Sequence, residues 1–296
     1  MERQHTISSP AVCAGVGVHS GMRARMVVRP AAPGTGIVFV RSDEKDRDSR
    51  IPANAGLVAT TNLGTSLRNA AGVEIATVEH FMAACAGLEI DNLIVEVDGP
   101  ELPILDGSSA PFVQLLMNAG LRAQGPARRR IEILERIEVT VGAKSAALEP
   151  ADQAEFDVTI RYADAPIGVQ HLRYFPSRAA FLDEIAEART YGFLKDVERL
   201  HAVGRGLGAS YDNTVVIDGG RVMNDEGLRF TDEFVRHKIL DAIGDLALVG
   251  APILGRYVAD QPGHDLNARL VRALLAAPHA WRWAEADAEA SLAIAG

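Results

Sequence analysis

One segment of the sequence carries a histidine and two aspartates at intervals of four residues. These residues are His237, Asp241 and Asp245, within RHKILDAIGD. Residues four apart share one face of an α-helix, so His237 and Asp241 can reach a single metal ion, and Asp245 continues the stripe. Imidazole and carboxylate are both zinc ligands, although a solvent-facing ion pair is the alternative interpretation.

A second pair, Glu79 and His80, lies in a segment that is otherwise almost entirely apolar. Adjacent residues point about 100° apart around a helix, so His80 can bind a metal while Glu79 contacts a water beside it. Metal-assisted hydrolysis divides the work in this way between a ligand and a general base. The alternative is that Glu79 and His80 are neighbouring helix residues without a function. However, burying an acid and an imidazole in an apolar helix costs free energy, which favours a functional role.

A third histidine, His264, follows Pro-Gly in QPGHDLN, which predicts a loop just before a helix. Loops held by rigid elements often carry catalytic residues, although a lone loop histidine is commonly a surface residue. The sequence contains no P-loop, dinucleotide-binding, serine-hydrolase or HExxH motif. The three histidines are therefore the main candidates for chemistry.

Two helices must position His80 and His237 with their acidic neighbours. The first is predicted to begin at Thr77, a suitable N-cap, and to end at Gly87. The second is predicted over Thr231–Leu248, where Thr231 is the N-cap and acidic residues in the first turn complement the helix dipole.

The two halves of the chain show a faint repeat. When His80 is aligned with His237, Gly87 falls on Gly244, and an apolar strand follows each helix. This pattern predicts an α+β fold of two similar domains, each a sheet with helices packed against it. The helices would be sandwiched between the domains, with a histidine near the same place in each.

The domain boundary is predicted near residue 124. Arg122–Arg130 is polar, basic and contains Gly-Pro, which indicates a linker. Its arginines could instead contact a phosphate or an acidic membrane surface. We therefore expect an N-terminal domain over 1–124, a C-terminal domain over 125–280 and a weakly specified tail over 281–296.

Composition excludes several classes of protein. The chain has 296 residues, of which 48% are hydrophobic and 23% charged, so a disordered protein is excluded. A formal net charge of −9 argues against a nucleic-acid partner. No apolar run reaches the roughly 18 residues of a membrane span. With only two cysteines and no CxxC motif, a cytoplasmic protein with free thiols is expected.

Five strings of the sequence together resemble one family, the UDP-3-O-acyl-N-acetylglucosamine deacetylases. They are GVGVHSG, TVEHFMAACAGLEIDNLIVEVDGPELPILDGSSAPFV, ARTYGF, VMNDEGLRFTDEFVRHKILDAIGDL and GHDLN. The strings occur in the order that the family has, and the resemblance covers about residues 3–276. Members of this family are zinc hydrolases of the committed step in lipid A biosynthesis.

The resemblance implies a metal centre. His80, His237 and Asp241 match the zinc ligands of the family, and Glu79 matches the general base that activates water. Three protein ligands leave the fourth zinc position open, as a catalytic site requires. Iron(II) could fill the same donor set.

The resemblance also implies roles around the metal. His264 matches a cationic histidine that protonates the leaving amine or steadies the oxyanion, and Asp245 matches the carboxylate that orients it. Thr190 matches the hydroxyl that stabilises the oxyanion. Lys238 matches a lysine that contacts substrate, and a bell-shaped pH–rate profile is expected.

An acyl passage is implied as well, built by an inserted β-α-β segment at about 192–222. Tyr191 stands where phenylalanine is common in the family, and ring stacking on substrate should survive that change; Phe193 is a further substrate-binding candidate. Each candidate for the lining could equally belong to the local core. These candidates are Leu194, Val197, Leu200, Val203, Leu207, Val215 and Val216.

The expected function is zinc-dependent N-deacetylation of UDP-3-O-(3-hydroxyacyl)-N-acetylglucosamine. Two alternatives stay open: a zinc amidohydrolase acting on another sugar nucleotide, and a lipid- or nucleotide-binding protein that lost the chemistry. A monomer is expected, without a membrane span but with peripheral membrane association as an option.

Overall fold

The computed structural model describes residues 2–163 and 166–285. The fold is α+β, as predicted. The N-terminal half contains the strands β1 (Arg3–Ile7), β2 (Ala11–Val16), β3 (Arg23–Pro30), β4 (Ile37–Arg41), β5 (Arg50–Pro52), β6 (Val58–Thr60), β7 (Ser66–Arg68), β8 (Glu74–Ile75), β9 (Leu93–Val97) and β10 (Leu121–Ala127). Its α-helices are α1 (Glu79–Gly87) and α2 (Ala110–Asn118), and Ala55–Leu57 forms a 3₁₀ turn.

The C-terminal half repeats this alternation. Its strands are β11 (Arg129–Ile133), β12 (Ile137–Val141), β13 (Lys144–Glu149), β14 (Glu155–Arg161), β15 (Val169–Tyr174), β16 (Tyr191–Phe193), β17 (Val215–Asp218), β18 (Arg221–Val222), β19 (Ile253–Leu254), β20 (Arg256–Asp260) and β21 (Trp281–Glu285). Its helices are α3 (Arg178–Ala180), which continues as a π-helical turn over Phe181–Ile185, α4 (Val197–Ala202), which follows the 3₁₀ turn Leu194–Asp196, α5 (Glu233–Ala247) and α6 (His264–Ala276).

The two halves share one sheet topology. The N-terminal five-stranded sheet has the order β2-β3-β9-β4-β5, and the C-terminal one has the order β12-β13-β20-β14-β15. In each sheet the central strand follows a helix, and it pairs antiparallel with one hairpin and parallel with the other. The predicted repeat of two similar sheet-and-helix units is confirmed.

Helices α1 and α5 pack against each other between the two sheets. Phe81 of α1 meets Phe39 of the N-terminal sheet edge-on, with ring centroids 6.1 Å apart. Helix α5 contacts β14 and β15 of the C-terminal sheet. A Cβ atom at Gly244 would lie only 2.0 Å from the carbonyl oxygen of Glu79, so the helices can approach this closely only with glycine there. This crossing brings the two histidine-bearing helices together.

The predicted linker is mostly strand. Residues 121–127 form β10, which pairs with β1, and residues 129–133 form β11, which pairs with β21. Composition alone could not show this, because the pairing partners lie more than 100 residues away. The chain passes from one sheet to the next at Arg128. The predicted tail begins with β21, and 286–296 lies outside the described residues.

A β-α-β unit runs from β16 through α4 to β17, whose strands pair in parallel. The loop after α4 contacts the N-terminal half through its backbone: Leu207 N–H donates to His19 O at 3.1 Å, and Gly208 N–H donates to Val18 O at 3.0 Å. A Cβ atom at Gly208 would lie 2.3 Å from Gly17 O, so this contact also requires glycine. The unit is therefore attached to both halves of the chain.

Among the described residues, no helix combines the length and the apolar character needed to cross a bilayer.

Candidate active site

Three buried side chains converge where α1 crosses α5. His80 comes from α1, and His237 and Asp241 come from α5. Nε2 of His80 lies 3.6 Å from Oδ1 of Asp241, and Nε2 of His237 lies 3.3 Å from the same oxygen. Two ligands of a tetrahedral zinc ion, each about 2.0–2.1 Å from the metal, are about 3.4 Å apart.

The hydrogen bonds of this cluster also suit a metal. Oδ1 of Asp241 is buried and has no hydrogen-bond partner among the described residues, although a carboxylate oxygen without a partner is costly to bury. The other oxygen, Oδ2, accepts a 2.7 Å hydrogen bond from Nζ of Lys238. Nδ1 of His237 donates to the carbonyl oxygen of Ala188 at 3.0 Å, which leaves the Nε2 lone pair facing the cluster. The donor set therefore fits a divalent cation.

The protonation states agree with this assignment. Burial lowers the pKa of His237 to about 3, against the pull of Asp241, so its imidazole is neutral at physiological pH. Burial alone would raise the pKa of Asp241, but His237 and Lys238 hold it well below its usual range. A neutral imidazole and an ionised carboxylate are the forms that bind metal ions.

Glu79 is the first residue of α1 and is almost completely buried. Its Oε2 accepts a 3.0 Å hydrogen bond from the backbone N–H of Thr65. Burial raises the pKa of Glu79, and the nearby His264 and His80 oppose that rise. A carboxylate with a raised pKa next to a metal site suits a general base.

His264 lies on the other side of Glu79. The prediction of a loop was slightly wrong, because His264 is the first residue of α6. Its Nδ1 lies 2.9 Å from Oδ2 of Asp245, and its Nε2 lies 3.9 Å from Oε1 of Glu79. Burial and the positive end of the helix dipole disfavour a cation here, but the carboxylates of Asp245, Asp241 and Glu79 raise the pKa of His264 to about 10. The ring is therefore a cation at neutral pH.

This arrangement predicts the alkaline limb of the pH–rate profile. With its pKa raised from 6.5 to about 10, His264 keeps its proton at neutral pH and loses it as the pH rises through about 10. Its contribution to folding stability is likewise complete below pH 6.5 and is lost through the same window. In Asp245→Asn the carboxylate is gone, so we expect the alkaline limb of turnover to move down by roughly one to three pH units. A limb that stays in place would contradict the assignment of His264 as proton donor.

A cavity of about 420 Å³ opens over these groups. Thr190, Tyr191 and Lys238 line it together with the cluster, and they also line an adjoining cavity of about 330 Å³ that extends towards Phe193. The structure thus brings every candidate site residue of the sequence analysis to one region, apart from the passage residues considered below.

Tyr191 is held by its neighbours. Its hydroxyl lies 2.9 Å from that of Tyr162, and Nζ of Lys238 lies 5.4 Å from its ring centroid. The ring meets that of His237 edge-on, with the centroids 6.1 Å apart. The hydroxyl that distinguishes tyrosine from phenylalanine at this position therefore contacts Tyr162.

Only some of the predicted passage residues line either of these two cavities. Val197, Leu200 and Val216 line the 330 Å³ cavity. Val215 is fully buried in the core instead, because it faces away from the cavity on β17. The remaining three are exposed, at 40%, 67% and 50% of their surface: Leu194, Val203 and Leu207.

Several residues of the site carry no signal in the sequence. The carbonyl of Ala188 has no side-chain signature, and Thr65 and Asn267 are ordinary polar residues until the fold brings them to Asp245. Tyr162 follows the end of β14, 29 residues before Tyr191 along the chain. Spacing along the sequence relates only residues of one helix or strand, so it could not identify these contacts between separate elements.

The fold and the site define a class of protein: two similar α+β units with a candidate metal centre of two histidines and one carboxylate between them. The family described as LpxC, UDP-3-O-acyl N-acetylglycosamine deacetylase, matches residues 4–276. The chain belongs to this family.

Curated relatives agree over nearly the whole chain. A UDP-3-O-acyl-N-acetylglucosamine deacetylase of Phenylobacterium zucineum is 54% identical over 94% of this chain and 95% of its own length. Proteins of the same name from Anaeromyxobacter sp. and Histophilus somni are 48% and 45% identical, over 93% and 96% of this chain and 89% and 93% of their own lengths. The resemblance found in the sequence is confirmed.

Proposed function

We propose that this protein hydrolyses the N-acetyl group of UDP-3-O-(3-hydroxyacyl)-N-acetylglucosamine. The products would be acetate and the free amine, UDP-3-O-(3-hydroxyacyl)-glucosamine, at the committed step of lipid A biosynthesis. The observation that carries the proposal is the buried cluster of His80, His237 and Asp241, with Glu79 and His264 beside it, in a member of the deacetylase family.

The proposal includes a bound zinc ion held by His80, His237 and Asp241, with iron(II) as the alternative for the same ligands. When bound, the metal supplies Lewis acidity, which polarises the amide carbonyl and lowers the pKa of water. Support comes from the 3.3 and 3.6 Å separations of the ligand atoms and from the unpartnered Oδ1 of Asp241.

Two side chains divide the proton transfers. Glu79 takes a proton from the attacking water, whose oxygen forms a bond to the carbonyl carbon of the N-acetyl group. His264, which is cationic at neutral pH, gives its proton to the nitrogen as the C–N bond breaks. The hydroxyl of Thr190 donates to the oxyanion that forms between these steps, and Asp245 keeps His264 oriented.

The charged part of the substrate meets cations at the cavity. Lys238 and Lys144 both line the 420 Å³ cavity, and ammonium groups attract a diphosphate. Tyr191 lines both cavities and Phe193 lines the 330 Å³ cavity, so both rings would pack against the substrate. The acyl chain would occupy the 330 Å³ cavity, against Leu200 and the other apolar side chains there.

A substitution at Leu200 tests the acyl passage. Tryptophan there would fill part of the 330 Å³ cavity, so kcat/KM should fall by roughly tenfold or more for long acyl chains and much less for short ones. Val203→Trp is the matched control, because Val203 is exposed on the same segment and lines neither cavity. An equal loss on long and short substrates would remove Leu200 from the passage.

We also propose a monomer in the cytoplasm, with no nucleic-acid partner. Cys13 and Cys85 are both free thiols, which suits a reducing compartment. The net charge of −9 disfavours binding to nucleic acid.

The test of the function compares two substrates. Purified protein would be given UDP-3-O-(3-hydroxyacyl)-N-acetylglucosamine and, separately, UDP-N-acetylglucosamine without the acyl chain, and acetate and free amine would be measured. Faster release from the acylated substrate is expected. Equal or faster release from the other would indicate an amidohydrolase of a different sugar nucleotide, and binding without release would indicate a protein that has lost the chemistry.

A further inference from the structure

Thr65 connects the two catalytic carboxylates, although it belongs to neither catalytic helix. It precedes β7 in the N-terminal half and is almost completely buried. Its backbone N–H donates to Oε2 of Glu79 at 3.0 Å, and its hydroxyl donates to Oδ1 of Asp245 at 2.6 Å. Its carbonyl oxygen accepts a 3.2 Å hydrogen bond from the N–H of Val78.

We propose that Thr65 is a positioning residue for the proton donor of the reaction, acting through Asp245 on His264. This inference rests on the proposed function, in which His264 protonates the leaving amine. The hydroxyl comes from the opposite half of the molecule to Asp245, so it also sets the catalytic histidine relative to Glu79.

The donors around Asp245 fix its plane. Oδ1 accepts from the hydroxyl of Thr65, whereas Oδ2 accepts from Nδ1 of His264 at 2.9 Å and from Nδ2 of Asn267 at 2.8 Å. The amide of Asn267 is fixed in turn, because its Oδ1 accepts a 2.6 Å hydrogen bond from the hydroxyl of Tyr257. A carboxylate held at both oxygens cannot rotate about χ2, so Oδ2 keeps facing the imidazole.

The loop that carries Thr65 is itself held in an unusual shape. Leu63 has a positive φ of 62°, which is uncommon for a residue with a side chain. Nε2 of His19 donates a 3.0 Å hydrogen bond to the carbonyl oxygen of Leu63. Thr65 is β-branched, which restricts its χ1 rotamer. The backbone and the side chain together aim the hydroxyl at Asp245.

Side-chain variants can separate the two hydrogen bonds of Thr65, the one to Glu79 and the one to Asp245. Thr65→Val keeps the shape of the side chain and the N–H that bonds Glu79, and it removes only the hydroxyl that bonds Asp245. Thr65→Ser keeps the hydroxyl and loses a methyl group. Thr60→Val is the control, because the hydroxyl of Thr60 accepts a hydrogen bond from Asn62 N–H in the same loop.

The first measurement is steady-state deacetylation by the zinc-loaded variants, with zinc content determined. We expect Thr65→Val to lower kcat by roughly 10- to 100-fold, with the metal retained, and KM to change by about twofold at most. Thr65→Ser should recover most of kcat. In a His264→Ala background, Thr65→Val should lower kcat only slightly further, because the hydroxyl of Thr65 acts through His264.

A second measurement does not depend on substrate. The proton on Nδ1 of His264, hydrogen-bonded to Asp245, should give a downfield NMR signal that is identified by its loss in His264→Gln. It should move in Thr65→Val and stay in place in Thr65→Ser and Thr60→Val. If the wild-type protein releases no acetate, the proposed function fails, while this signal still tests the link from Thr65 to His264.

Three results would overturn the inference. These are an unchanged kcat in folded, metallated Thr65→Val, the same valine penalty with and without His264, and an unmoved His264 signal. A variant that loses only thermal stability, with kcat intact, would make Thr65 a structural residue.

Discussion

Replacing His237 with alanine should remove the bound metal and the deacetylase activity together. The site offers three protein ligands, and His237 supplies one of them from the centre of α5. With two ligands left, the Lewis acidity that helps the amide react is lost, and this is worth several kcal/mol. We therefore expect turnover to fall by roughly 10³-fold or more, with zinc per chain falling in parallel by elemental analysis.

The control for this prediction is His171→Ala. His171 is an exposed histidine on β15 that bonds Asp157, so its loss changes the histidine count without touching the cluster. It should keep one zinc per chain and normal turnover. Retention of both zinc and activity in His237→Ala would show that the metal, or the chemistry, lies elsewhere.

Glu79→Gln should separate chemistry from metal binding. The glutamine amide can still accept the hydrogen bond from Thr65 N–H through its oxygen, so the local structure should persist. It cannot take a proton from water, and the loss of a general base typically costs about 10²- to 10⁴-fold in rate. We expect turnover to drop by this factor while zinc content and melting temperature stay near those of the wild type.

A matched control is Glu96→Gln, which changes an acid on β9 that pairs with Arg29 on the N-terminal sheet. Its turnover should be unaffected. Loss of zinc from Glu79→Gln would make Glu79 a metal ligand and overturn its assignment as the base.

Much of the architecture was predictable because it depends on local pattern. The helix predicted over Thr231–Leu248 is α5 over Glu233–Ala247, and the alignment of His80 with His237 anticipated the repeat. Gly244, which the alignment pairs with Gly87, lets α1 and α5 cross closely. Periodicity and small residues at a crossing are properties of the sequence itself.

The error at the start of α1 came from a partner distant in sequence. Thr77 was expected to cap α1, but the helix begins at Glu79 and Thr77 adopts a positive φ of 58°. Its hydroxyl donates instead to the buried carboxylate of Glu101, 2.9 Å away, which also accepts the backbone N–H groups of His19 and Ser20. A capping signal is local, whereas this competing acceptor is brought in by tertiary structure.

The site residues were likewise predictable where local spacing decides and not where tertiary contacts decide. Spacing along α5 indicated His237 and Asp241 as metal ligands, and it put Asp245 on the same stripe without distinguishing its role from theirs. In the structure Asp245 bonds His264 and Thr65 instead. Which carboxylate joins the two histidines depends on where α1 crosses α5, and no property of one helix could decide it.

The most direct test of the proposed metal centre is a zinc titration of the metal-free protein. Acetate release from UDP-3-O-(3-hydroxyacyl)-N-acetylglucosamine would be measured as zinc is added to protein stripped by a chelator. We expect negligible release without metal and a linear rise that ends at one zinc per chain, and no such rise in His237→Ala. Full turnover by metal-free protein, or a rise in His237→Ala equal to that of the wild type, would contradict it.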